Sequence, residues 1–285
     1  MRKILPLFLL IFACQSDYGN LTYVTKLPKL LEEVSGIQYD SKRNAFWMLN
    51  DSGNKSSIYL VSEKGKILKE VKINSDNKDW EDITQDKEGN VYVGDFGNNK
   101  NKRKDLHILK INHQKLSNKG KQDVEKIAFY YPEQKKFPPK KKQMYYDTEA
   151  FFVWNNHFYI FTKSRVKGKY GKTFLYQVPN KPGNHKALLI DDFETHGEGW
   201  NCSITGADIS SDGKKVALIT HQALWVFSDF KNNKFLSADN KEYSFNYISQ
   251  KESVSFKNNL SVFIADEESK LEGRNLYELS LKSKP

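Results

Sequence analysis

The chain has 285 residues, a formal net charge of +10, 38% hydrophobic and 13% aromatic residues. Its two cysteines exclude a disulfide framework, a cysteine-rich metal site and a dithiol redox pair, because Cys14 reads as part of an export signal and Cys202 has no partner. The basic excess points to membrane phosphate or acidic ligands, with nucleic acid the weakest class for an exported chain.

In chain order, Met1-Arg2-Lys3 precedes an apolar run from Ile4 to Ala13. That run is too short to span a bilayer and reads as the core of a secretory signal. Cys14 follows Ile11-Phe12-Ala13, where a bacterial lipobox places its lipidated cysteine. Residues 1–13 are therefore expected to be a lipoprotein signal peptide, 14–20 the lipidated Cys14 and a polar tether, and 21–285 a single domain. The alternative is a plain signal with an incidental Cys14. The expected product is a monomer held at the bacterial outer membrane through its lipid alone, on the periplasmic or the surface side.

Beyond the tether one pattern recurs five times: a small, polar or acidic entry, an apolar strand, a turn, and a second apolar strand. It occupies residues 33–51, 79–95, 147–163, 203–221 and 250–266. The entries Ser35-Gly36-Ile37, Glu81-Asp82-Ile83, Glu149-Ala150-Phe151, Thr205-Gly206-Ala207 and Glu252-Ser253-Val254 align. Such repetition in a chain rich in short β-branched and aromatic runs predicts an all-β propeller. Four strands are expected in each of the first four repeats, but three in the fifth, at 251–256, 260–265 and 275–281. The run 21–27 is left over at the other end. A five-bladed propeller closed by that N-terminal strand in the last blade accounts for both and leaves no open edge. Six blades would require a whole blade in 112–146, which shows one convincing strand.

Up-and-down order sends the entry loops, and the loops between second and third strands, to one face. There the entries bring Glu33, Asp79, Glu81, Asp147, Glu149 and Glu252, and the returning strands bring Asp51, Asp95, Asp266, Lys163 and His221. Nine carboxylates at close quarters require raised pKa values, basic partners or a bound cation. Oxygen donors select a hard ion, and Ca²⁺ tolerates an irregular ring, so all nine are candidate Ca²⁺ ligands. The alternative is that they accept hydrogen bonds from amides of neighbouring blades.

The loops 97–104, 132–145 and 163–172 hold 14 Lys or Arg in 32 residues, against 31 in the other 253. A basic rim around an acidic mouth suits an anionic ligand that completes a metal's coordination, with Lys163 and Arg165 neutralising charge. The loop 195–202 adds His196, Glu198 and Trp200, an acid/base pair and an aromatic platform; His196 and His221 are the candidate proton-transfer groups. His107, His113, His157 and His185 fall elsewhere and read as packing or surface residues.

The repeated entries, with Tyr92-Val93-Gly94-Asp95, resemble those of the phytase-like (esterase-like) β-propeller proteins of bacteria across most of the domain. That group is generally six-bladed, against the five blades expected of this chain. A more distant resemblance, over Glu33–Ile37, Trp80–Gly97 and Glu149–Trp154, is to the five-bladed calcium-activated nucleotidases. Both resemblances imply calcium and phosphate esters. Three readings stay open: a Ca²⁺-dependent phosphoester hydrolase, a non-catalytic module binding a partner protein or anionic glycan, and a glycoside-acting propeller with paired carboxylates.

Overall fold

A computed structural model describes residues 17–282 apart from 118, 198 and 271. The export signal and Cys14 lie outside the described residues, as does Glu198. Blade one is built from Val34–Asp40, Ala45–Asn50, Ser57–Ser62 and Ile67–Ile73, and blade two from Trp80–Gln85, Val91–Asp95, His107–Ile111 and Glu125–Tyr130. Blade three holds Asp147–Trp154, His157–Lys163, Lys172–Pro179 and Leu188–Glu194, and blade four Gly206–Ile209, Lys215–Ile219, Ala223–Ser228 and Asp239–Ser244. Blade five pairs Lys251–Asn258, Ser261–Asp266 and Asn275–Ser280 with Thr22–Lys26 from the start of the chain, as the leftover strands require. Five blades close the ring.

Burial explains the change of pattern from inner to outer strands. Every residue of Ala45–Asn50 and of Ser261–Asp266 is buried, because blades pack on both faces of these strands. The outer strand Ile67–Ile73 alternates between apolar and exposed positions instead, since one of its faces meets water. The hairpin of blade three turns on Asn155 and Asn156, both at positive φ, the backbone that a tight two-residue turn demands and that asparagine tolerates. Five apolar clusters fill the ring, one at each interface between neighbouring blades.

Two features depart from the four-strand expectation. Lys121–Gln122 adds to blade one, parallel to Ile67–Ile73, and Gly183–Lys186 adds to blade two, parallel to Glu125–Tyr130. Each is a connector that strays back to an outer edge and covers part of it.

Inner strands have the opposite difficulty: their free edges face the axis of the ring, where backbone amides need acceptors. Side chains of the adjoining blade supply them. Asp82 accepts from Phe151 N at 3.1 Å, Asp208 from Phe256 N at 2.7 Å, and the Ser255 hydroxyl from Tyr39 N at 3.0 Å. Between blades one and two Gly36 permits an equally close approach, since a Cβ there would lie 2.8 Å from Ile83 N.

Candidate functional site: the axial mouth

The entry residues owe their direction to a defect in pairing. Near its start, the ladder between first and second strands skips one residue in four blades, and the residues skipped there are Ser35, Glu81, Glu149 and Glu252. A β-bulge leaves its extra residue unpaired and re-aims the side chain, here at the top of each inner strand. Three of the four are glutamates, and all three are buried or nearly so.

The glutamates have different neighbours. Glu149 accepts from Lys163 Nζ at 3.0 Å and from Arg165 Nη2 at 2.9 Å. The same guanidinium holds Asp147, which also accepts from Asn98 N at 2.7 Å. Burial works against the Lys163 charge, but Glu149 and Glu252 carry its ammonium above the ordinary range. Asp147 is pushed up to about 7, by burial first and then by Glu149, against the pull of Arg165 and Lys163. Glu252 sits 3.2 Å from His221 Nε2. Burial raises its pKa, yet the His221 contact and the nearby Lys163 and Arg165 bring it below the usual range.

Across the mouth, Asp51, Asp79 and Glu81 bring carboxylate oxygens within 4.8 Å of one another. Their local donors are few. Ser52 N reaches Asp51, the Ser52 hydroxyl reaches Asp79, and Arg103 acts on Asp79 through space. No hydrogen bond from the described residues reaches the side chain of Glu81, which is 6% exposed. Burial, then the charges of Glu149, Asp51, Asp147 and Asp79, push its pKa well up. Asp51 rises to about 7, chiefly through burial, and Asp79 rises for the same reason.

Gly97 passes directly over this triad. A Cβ there would lie 2.0 Å from Glu81 Oε1 and 2.6 Å from Asp79 Oδ2. Any other residue would press on the carboxylates, so the glycine leaves them clear. Oxygen donors alone, clustered and short of protons to accept, fit a hard divalent cation.

The remaining candidates are placed as follows. Asp95 does not join the triad; it is buried against Arg103 Nη2 at 2.8 Å, with His107 Nε2 at 3.5 Å. Asp266 accepts from Ser249 Oγ, Asn275 N and Tyr277 OH at 2.6, 2.7 and 2.9 Å, which ties blade five together. Glu33 is exposed and meets Asn54, while Ser35 takes the bulge position of blade one and bonds Trp80 O at 3.0 Å. His196 is exposed and packs on the Trp225 ring at 5.4 Å, with Gln222 on its carbonyl. Trp200 lies under Arg165 at 5.1 Å and against Tyr170 at 4.3 Å, so its loop joins the rim through Arg165.

Sequence reasoning passed over Glu267, whose pKa climbs to about 8 by burial and by the charges of Glu252, Asp51 and Glu33. Its one signal was position, immediately after Asp266 at the end of a returning strand. It also passed over the clasps Asp82 and Asp208, which serve neighbouring amides in the way suggested as the alternative for the nine mouth acids.

Comparison with known proteins bears on the fold. The SdiA-regulated family model matches residues 13–136, under half of the chain. No curated protein matches the sequence. Among solved structures, the PQQ-bound aldose sugar dehydrogenase of Streptomyces coelicolor is 10% identical with a TM-score of 0.53, covering 92% of this chain and 98% of that one. Virginiamycin B lyase of Staphylococcus aureus is 12% identical with a TM-score of 0.42, over 90% of this chain and 69% of that one. At 10% identity the likeness to the dehydrogenase speaks for architecture and not for activity. The chain is a five-bladed β-propeller, and its first part is similar to the SdiA-regulated family.

Proposed function

We propose that this protein is a lipid-anchored propeller of the bacterial outer membrane whose axial mouth binds Ca²⁺ and, through it, an anionic ligand of the phosphate-ester class. The observation that carries the reading is Glu81: a buried carboxylate without a hydrogen-bond donor among the described residues, between Asp51 and Asp79, under a glycine that leaves room. A cation there removes the cost of keeping that charge buried. Bound Ca²⁺ would offer its charge to the ligand's oxygens, and the basic rim would draw the anion in. The resemblance of the entry motifs to phytase-like propellers and calcium-activated nucleotidases points the same way.

Binding is favoured over turnover by one feature. The electrostatic groups and one of the two proton-transfer candidates are already engaged, Lys163 and Arg165 with Glu149 and His221 with Glu252, while His196 only packs its ring on Trp225. Hydrolysis would require one of these contacts to break in the complex, and a screen of phosphate esters with Ca²⁺ decides between the two.

The cation is tested first, by thermal melts of the full chain in EDTA and then in graded Ca²⁺ and Mg²⁺. A ligand that binds only the native state stabilises it by mass action, by about 2.7 kcal/mol at 100 times its dissociation constant. The expected result is a Ca²⁺-dependent rise that Glu81→Gln abolishes. No response to either ion would sink the reading.

A further inference from the structure

The basic rim is not uniform. In the loop 163–172, four of the five bases meet carboxylates: Lys163 and Arg165 bind Glu149, Lys169 meets Glu194, and Lys172 meets Asp192. The segment between Gln134 and Tyr146 is built differently. Lys135, Lys136, Lys140, Lys141 and Lys142 are exposed, and none has a carboxylate partner among the described residues. The nearest acid before the segment, Glu133, is turned to the Tyr176 hydroxyl.

This segment is a fixed arch. Both of its feet stand on Asn101: Gln134 Nε2 donates to Asn101 O at 2.8 Å, and Tyr146 N donates to Asn101 Oδ1 at 2.8 Å. Arg165 N donates to Met144 O at 2.9 Å and joins the arch to the mouth. Asn101 is itself fully buried at positive φ, a backbone that asparagine accepts more readily than most residues. Three residues beyond the first foot, Phe137 is 37% exposed, with Lys104 Nζ 5.0 Å from its ring centre. Lys100 and Lys102, equally without a carboxylate partner among the described residues, flank the feet.

We infer that this arch is a docking surface for an anionic phospholipid bilayer, separate from the cation site. Five lysines on one short rigid segment supply the charge that attracts acidic headgroups, and ordering costs little because the loop is already pinned. The exposed ring of Phe137 selects a bilayer over a soluble polyanion: an exposed phenylalanine gains by entering the headgroup layer and gains nothing on a hydrophilic chain. The inference does not depend on Cys14, since the arch belongs to the folded ring.

The experiment is co-sedimentation of the chain from residue 17 onward, which contains every strand of the closed ring. Vesicles of phosphatidylethanolamine with phosphatidylglycerol are compared with vesicles of phosphatidylcholine alone. The expected result is binding to the anionic vesicles only, weakened by salt. Replacing Lys135, Lys136, Lys140, Lys141 and Lys142 by Gln should lower partitioning by roughly a hundredfold or more. Phe137→Ser should lower it severalfold with the charge unchanged, and both variants should keep the wild-type melting temperature. Equal binding to neutral vesicles, or an unaffected five-lysine variant, overturns the inference. Retention on immobilised heparin without vesicle binding overturns it too, by assigning the arch to a glycan.

Discussion

The two walls of the mouth start from the same residue type and end in opposite electrostatic states. Glu149 and Glu81 occupy equivalent bulges in neighbouring blades, both buried, both beside an aspartate two residues earlier. Blade three supplies Lys163 from its own returning strand and Arg165 just beyond it, so Glu149 is doubly paired. Blade two ends its returning strand in Asp95, and its Arg103 goes to Asp95 and Asp105 instead of to Glu81. The difference teaches that an acidic ring is not one site. One wall is internally neutralised and belongs to the scaffold; the other is left short of positive charge and is where a cation has something to stabilise.

The largest expected effect breaks the neutralised wall. Lys163→Met leaves Glu149 and Glu252 without the ammonium between them, and removing one partner of a buried pair typically costs about 3–5 kcal/mol. Chemical denaturation should show that loss, with part of it recovered in the double variant Lys163→Met, Glu149→Gln. A loss below about 1 kcal/mol would mean that Arg165 alone neutralises the wall.

On the other wall the sign reverses. In EDTA at a pH of about 8, Glu81→Gln should raise stability by about 1 kcal/mol or more, because it removes a buried carboxyl whose charged form has no donor. Destabilisation by Glu81→Gln under those conditions would place a hydrogen-bonded, structural carboxylate there and erase the contrast.

The smallest effect is in pH dependence. Asp51 has its folded pKa raised to about 7, so between the unfolded value of about 3.9 and 7 the native state holds more of its proton than the unfolded state does. Its contribution to stability is therefore greatest in acid and falls as pH rises through that window, the reverse of a salt-bridged carboxylate. In EDTA, wild type should lose more stability than Asp51→Asn on going from about pH 5 to about pH 8. Parallel curves would show that Asp51 is not perturbed.

How much of this was legible varied with the range of the interaction that decides it. Blade number and closure by residues 22–26 followed from strand counting, because pairing within a blade is local and leaves period-two runs. The fifth strands, Lys121–Gln122 and Gly183–Lys186, left no such run: they are polar, short, and paired to strands made elsewhere in the chain. The crowding of Asp79 and Glu81 was legible from the hairpin. The departure of Asp95 was not, since it depends on Arg103 folding back across eight residues.

The sequence by itself determined the propeller and the face on which its acids gather, because alternation and turn chemistry are written residue by residue. Only the tertiary structure decided which acids are neutralised. A carboxylate's state depends on donors within a few ångströms, and in a closed ring those come from other strands and other blades: Arg165 for Asp147, His221 for Glu252, and no hydrogen-bond donor among the described residues for Glu81.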